Sequence, residues 1–436
     1  MRAYIPADPQ RIRILTLLAR IIIITVMHRC RTVRPGTTKG TRKLIDIFDL
    51  SLKLYSLVIF HNILKDKLLI CLSELMNIAD KTPLERVSAY SSFVSLLYRE
   101  NGDLSDSLLS RVLDDENIYV HAQAENRITP ELEECLQNEL KIIQELSQLR
   151  SEDIKKVLGY GGYLPAWRNR SVDFAVSYKA RMESLNHVGF GIFSRCHMFL
   201  VKEGRLMPVS MPDPVRFSEL KGYERERGAV VQNTVSLLKG KPAANVLLYG
   251  DAGTGKSSTV KAIVNEYKNQ GLRLIEFNKK QFNDIPVIME QLCNNPLKFI
   301  LFIDDLSFDQ NNDDFKALKA ILEGSASAKA PNIAVYATSN RRHLVKESFS
   351  DRNGDDIHVN ETIQELTSLS ERFGLSVHFY QPDKALYLKI VHSLAEQFGI
   401  RISEADLDLQ AERYALSRGG RSPRVARQFI DSLRSL

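Results

Sequence analysis

The chain has 436 residues, 44% hydrophobic and 26% charged, an ordinary globular composition with length for two or three domains. Its net charge is +6, from 59 Lys and Arg against 53 Asp and Glu. The five cysteines (Cys30, Cys71, Cys135, Cys196 and Cys293) include no CxxC pair, which argues against a disulfide framework or a zinc site and sets the expectation of a reducing cytoplasm.

The charge is unevenly spread. Residues 1–45 hold Arg2, Arg11, Arg13, Arg20, Arg29, Arg31, Arg34, Lys39, Arg42 and Lys43 against Asp8 alone, a net of +9. With +6 overall, the remainder is mildly acidic, so charge does not indicate a nucleic-acid partner. The apolar runs 14–19 and 21–27 are split by Arg20 and too short to span a bilayer. More arginine follows them, with no small-residue cleavage site. The leader reads as a disordered tail, an upstream extension from a misplaced start, or an interfacial helix that gathers anionic lipid.

Residues 46–158 read as a small helical domain. Thr82-Pro83-Leu84-Glu85 is a capping box with proline at the first helical position. Thr129-Pro130 opens a second long helix, in which Leu132, Leu136, Leu140, Ile143 and Leu146 recur at three- or four-residue spacing. The periodicity breaks around Tyr160-Gly161-Gly162, just before the sole tryptophan, Trp167. Residues 159–214 form a hairpin and linker region. The segment 191–209 turns near Glu203-Gly204, and Pro208, Pro212 and Pro214 follow.

From 215 to 381 the pattern alternates. The runs VLLY (246–249), LIEF (274–277), FILFI (299–303), IAVYAT (333–338) and VHFY (377–380) are separated by helical stretches. Continuous apolar strands interleaved with helices predict an α/β fold with a parallel sheet covered on both faces. Residues 382–436 read as helical.

The first strand ends in Gly250-Asp251-Ala252-Gly253-Thr254-Gly255-Lys256-Ser257, then Ser258. This is the Gly-x4-Gly-Lys-Ser phosphate loop in its required place between strand and helix. Its glycines let backbone N–H groups converge on one phosphate chain, Lys256 adds charge at the β- and γ-phosphates, and Ser257 offers a hydroxyl to Mg²⁺. The third strand delivers Asp304 and Asp305 to the sheet's carboxyl edge. Asp304 is suited to Mg²⁺ beside Ser257, and Asp305 to orienting or deprotonating water. Two adjacent acids there are otherwise a cap for the next helix. Asn340 closes the fourth strand as an amide that positions water, or as an ordinary turn residue. Arg372 precedes the fifth strand, and Arg424 follows Ser422-Pro423 in the first turn of a C-terminal helix. A guanidinium suits phosphate oxygens, although most arginines are simply solvated.

Phosphate loop, paired acids, strand-end Asn, Arg-Phe-Gly and C-terminal Arg, in that order, resemble the AAA+ ATPases. More closely, NVLLYGDAGTGKSS, FIDDLSF, LKAILEG, YATSNRRHL, LSERFG and SPRVARQF resemble a bacterial AAA+ family known as a domain of unknown function, over residues 160–436. The resemblance implies a P-loop core of five parallel strands in the order 5-1-4-3-2, a helical lid, ATP and Mg²⁺ as ligands, and a homo-oligomer. It makes Arg372 the finger acting on a neighbouring subunit, Asn340 sensor 1, Arg424 sensor 2, and Leu220-Lys221-Gly222-Tyr223 the linker packing on adenine. Asp305 stands where glutamate is usual, and its shorter carboxylate implies slow hydrolysis. Two readings follow: an ATPase driving remodelling of an oligomer or partner, and a nucleotide-gated interaction module with little turnover. A small-molecule P-loop kinase has no use for Asn340, Arg372 and Arg424 in this order. A GTPase would want Asn-Lys-x-Asp, and 278–281 reads NKKQ. The helical N-terminal domain is expected to engage an unidentified protein partner.

Overall fold

The computed structural model describes residues 47–306, 318–319, 321–322, 330–340 and 372–435. The basic leader lies outside these residues.

The N-terminal part is helical. Helices α1 (Ile47–Tyr55), α2 (Lys67–Met76), α3 (Pro83–Glu100), α4 (Leu104–Asp114), α5 (Ile118–Ala124), α6 (Pro130–Ser147), α7 (Ser151–Leu158) and α8 (Phe174–Glu183) follow in order. Both predicted N-termini are formed. The Thr82 hydroxyl accepts from Glu85 N while the Glu85 carboxylate accepts from Thr82 N, and Thr129 caps α6 through Leu132 N. The α6 stripe buries Leu136, Leu140, Ile143 and Leu146. Glu139 shares that face without being apolar. The residue is 4% exposed, and its carboxylate accepts from the backbone N–H groups of Val58, Ile59 and Phe60 at 2.7–3.1 Å. Trp167 folds back onto α3, its ring 5.7 Å from Tyr90 and 5.2 Å from Phe93, and its indole donates to Leu149 O at 3.0 Å.

The sheet has seven strands: β1 (Met198–Lys202), β2 (Arg205–Pro208), β3 (Val246–Gly250), β4 (Leu272–Phe277), β5 (Lys298–Ile303), β6 (Ile333–Ser339) and β7 (Leu375–Phe379), in the order β2-β1-β4-β5-β6-β3-β7. The five expected strands stand in the expected order and are parallel. The hairpin corrects the strand count. It turns at Glu203-Gly204 as anticipated, but β1 then pairs parallel with β4, Phe199 opposite Ile275, so that β1 and β2 extend the core sheet. Arg273 on β4, 4% exposed, fastens the incoming chain by donating to the carbonyls of Val188, Phe193, Lys268 and Leu272.

Side chains alternate across the strands. Val246 and Leu248 face a core shared with α9 (Glu224–Leu238), α10 (Lys256–Tyr267), α12 (Lys384–Phe398), α13 (Glu404–Ser417) and α14 (Pro423–Arg434). Leu247 and Ile303 face a second core with α11 (Ile285–Leu292). β6 is buried at all seven positions, as a strand covered on both faces must be. The chain leaves β3 towards β4 and returns on the other side as β7, so β3 is the point where strand order reverses. In open α/β sheets ligand crevices lie at the carboxyl ends of strands there.

Candidate functional site

The loop after β3 is shaped by close backbone approaches. Gly250 has φ 127, and a Cβ there would lie 2.1 Å from Phe379 O, so no other residue fits without moving β7. Asp251 N donates to Phe379 O at 3.0 Å, and the Asp251 carboxylate accepts from Gln381 N at 2.7 Å. Gly253 meets the C-terminal helices. Its carbonyl accepts from Arg424 N at 3.2 Å, and a Cβ on it would stand 3.2 Å from Arg424 Cβ. Ser422 caps α14 by accepting from Val425 N, with Pro423 at the first helical position, which puts Arg424 in the first turn.

At the start of α10, Lys256 is 6% exposed and its ammonium uses three donors at once. It donates to Gly250 O (2.9 Å), Asp251 O (2.7 Å) and Asn340 Oδ1 (3.0 Å). Burial pulls the Lys256 pKa below its usual value, opposed by the charges of Asp251, Asp305 and Asp304. Asn340 passes the chain on: its amide donates to Asp305 Oδ1 at 2.9 Å. Beside it, Ser257 Oγ donates to Asp304 Oδ1 at 2.6 Å. Phosphate loop, paired acids and strand-end amide, 84 residues apart between Lys256 and Asn340, thus meet at one edge of the sheet.

Thr338 escaped the sequence reading. Its hydroxyl donates to Asp304 Oδ1 at 2.5 Å and accepts from Asp305 N at 2.9 Å, so β6 orients both acids just past the end of β5. The signal was a hydroxyl two places before Asn340, near the end of a mostly apolar strand. Asp305 itself sits at φ 52, a left-handed conformation that Asp tolerates better than most residues.

Hydroxyl and carboxylate oxygens are hard donors of the kind Mg²⁺ takes, usually with one or two carboxylates and with phosphate and water completing its shell. The Ser257–Asp304 pair fits that requirement. Among the described residues no group of three or more His, Cys, Asp or Glu could hold a metal on its own, and no helix is long and apolar enough to cross a membrane.

A cavity of about 300 Å³ adjoins the loop, walled by Gly253, Thr254, Gly255 and Ser258, by Leu220 and Lys221 and by Arg424. Gly222 and Tyr223, expected against adenine, do not line it. Tyr223 turns under the core, its hydroxyl donating to Tyr380 O at 2.6 Å, and Gly222 packs against Ile390. Arg372 is not brought to the loop either. It precedes Leu375, whose partner in register is Val246, whereas Gly250 is paired with Phe379. The length of β7 alone separates it from its own phosphate loop by roughly 13 Å.

The chain is similar over limited stretches to proteins called replication factor C large subunit. It is 32% identical over 117 residues to that of Staphylothermus marinus, covering 25% of this chain and 27% of the relative. It is 29% identical over 126 residues to that of Sulfurisphaera tokodaii, covering 28% and 29%. It therefore spans little more than a quarter of the length of these curated relatives. A Thermotoga maritima RuvB structure, titled a Holliday junction branch migration motor, aligns at TM-score 0.35 and 17% identity over 51% of this chain and 65% of that one, a level that says nothing of function. A mutant form of RuvB aligns at TM-score 0.36 with the same identity and coverage. A family model described as "Protein of unknown function (DUF815)" matches residues 194–435, more than half of the chain. The chain belongs to this family, within the AAA+ superfamily.

Proposed function

We propose that this protein binds Mg-ATP and hydrolyses it in a homo-oligomer, using the cycle to remodel the assembly or a protein partner. The observation that carries the reading is the hydrogen-bonded chain Lys256–Asn340–Asp305 alongside the Ser257–Asp304 pair. Lys256 and the backbone of 250–258 would hold the phosphates, with Ser257 and Asp304 holding Mg²⁺. Asp305 would take the proton of the attacking water, and Asn340 would fix that carboxylate. Bound Mg²⁺ would supply charge neutralisation at the phosphate oxygens. Arg424, backed onto Gly253, would answer to the phosphates from the lid. Arg372, at the far end of β7, is suited to a neighbour's nucleotide. We assign 46–158 to partner binding, 215–381 to the nucleotide core and 382–436 to the lid, with 159–214 joining them and the leader, 1–45, outside the chemistry.

Asp305 keeps a second reading alive: a nucleotide-gated scaffold with little turnover. Its short carboxylate already accepts from Asn340, which limits its reach towards water.

The test is Mg²⁺-dependent ATP turnover by the full chain, with Lys256→Ala and Arg372→Ala variants and their mixture. Lys256→Ala is expected to lose ATP binding, and Arg372→Ala to keep binding but lose turnover. Mixing should restore part of the activity, because one mixed interface joins an intact loop to an intact arginine. Undiminished ATP affinity in Lys256→Ala would overturn the reading.

A further inference from the structure

One buried cation beside the loop has a single, distant ionic partner among the described residues. Arg227 is the fourth residue of α9, and its side chain is 11% exposed. Its sole ionic contact among the described residues is Glu224 Oε1 at 3.7 Å, and that same oxygen already accepts from Gly222 N at 3.1 Å. Burial pushes the Arg227 pKa below the usual guanidinium value. A guanidinium withdrawn from water needs hydrogen-bonded, charged partners for its planar fork of donors. Another buried arginine, on β4, shows what satisfaction looks like: Arg273 donates to four carbonyls. Among the described residues Arg227 has no comparable set, and it lines the cavity beside Gly253, Thr254, Gly255 and Ser258.

We propose that Arg227 is a nucleotide-binding residue whose guanidinium pairs with the α-phosphate. The proposal rests on the nucleotide reading above and adds a contact to it. Lys256 and Ser257 do not line this cavity, whereas Ser258 and the loop backbone do. The backbone of such a loop cradles α- and β-phosphates while its lysine serves β and γ, so Arg227 addresses the α-phosphate end of the phosphate chain. It is therefore indifferent to the γ-phosphate, and its contact persists through hydrolysis until ADP leaves.

The experiment measures ADP, ATP and adenosine affinity by calorimetry, with ligand-free melting temperature, for the full chain and its Arg227→Met and Arg227→Lys variants. The proposal expects Arg227→Met to weaken ADP and ATP by a similar factor, on the order of 10–100-fold for one charged hydrogen-bonded contact. Arg227→Lys should lie between, adenosine affinity should not change, and the ligand-free melting temperature should hold or rise because a buried charge with only one distant ionic partner has gone. Wild-type ADP affinity in Arg227→Met, or a fall in ligand-free melting temperature that accounts for the lost binding, would overturn it. An equal loss for adenosine would move the contact to base or sugar and overturn the α-phosphate assignment. If the unmodified chain binds neither ADP nor ATP, the nucleotide reading itself fails, a result distinct from failure of the Arg227 contact.

Discussion

Asn340 Oδ1 lies 3.0 Å from Lys256 Nζ, so the ammonium that would face the phosphates is tied to the end of β6 as well as to its own loop. The other end of the same amide donates to Asp305 Oδ1 at 2.9 Å. One neutral side chain thus fixes the distance between the cation and the candidate general base. Its two ends are chemically distinct, so neither Ala nor Asp can reproduce both bonds.

Asn340→Ala is accordingly expected to lower turnover by ~10²-fold, the scale of losing one oriented polar group at a reacting centre. ATP affinity should change little, because Lys256 keeps two carbonyl partners on the loop. Steady-state kinetics with a separate binding measurement checks this, and an affinity loss as large as the rate loss would contradict it.

Much of this site was legible because it is written locally. Gly250 to Ser257, Asp304-Asp305 and Asn340 each stand at the end of an apolar run, and parallel strands bring such ends to one edge of a sheet. The hairpin turn at Glu203-Gly204 and the caps at Thr82 and Thr129 are equally local. What was not legible is long-range. Nothing in residues 198–202 says that they pair with β4, because that register depends on a segment more than seventy residues away. Glu139 and Arg273 are charged residues buried against backbone groups that periodicity does not reveal. Arg227 is illegible for the same reason: an arginine in a helix is usually solvated. Tyr223, which the resemblance set against adenine, packs in the core with its hydroxyl on Tyr380 O.

Glu139→Gln tests how far the helical part depends on its buried anion. The carboxylate accepts three backbone N–H groups through both oxygens, and Cys135 Sγ donates to it as well at 3.2 Å. Glutamine offers one acceptor oxygen and sets an NH₂ against the remaining donors. The expected loss is about 3 kcal/mol, from weakened charge-assisted bonds and an unsatisfied donor. Urea unfolding followed by far-UV circular dichroism measures it, and a loss below about 1 kcal/mol would mean that this turn is held by other contacts.

Asp115 gives stability a pH dependence of a definite sign. It follows α4, and burial raises its carboxyl pKa from 3.8 to about 6, against the hydrogen bond that Asn117 donates. The folded state therefore favours the protonated form. The cost of carrying the charge is fully present above pH 6, shrinks as pH falls towards 4, and vanishes below the unfolded value. Asp115→Asn removes the charge and keeps the shape, so it should stabilise the protein at pH 8 by on the order of 2 kcal/mol. The gain should disappear near pH 4. Melting temperatures of both proteins across this range check the prediction, and a pH-independent difference would contradict it.

Asp305 separates the two functional readings, and its backbone dictates which substitution is informative. At φ 52 it occupies a region where Asp and Asn are tolerated and Ala is strained. Its N–H is held by Thr338 Oγ1 at 2.9 Å and Asp304 Oδ1 at 3.2 Å, bonds that do not involve its side chain. Asp305→Asn therefore keeps the backbone, keeps an oxygen for the Asn340 amide, and removes the charge that would accept a proton. ATP affinity should stay within a few-fold of the unmodified protein, while hydrolysis should fall by ~10²–10⁴, the usual contribution of a general base. Asp305→Ala would confound this by straining the loop, so a loss seen only there would implicate conformation. Quench-flow measurement of a single turnover isolates the chemical step from product release. Normal turnover in Asp305→Asn would make this residue a structural cap on the end of β5. The intrinsic rate then decides between motor and gate: if the unmodified protein is already as slow as its asparagine variant, ATP serves this family member as a ligand that holds an assembly together, and the Lys256–Asn340 link becomes the switch that registers it.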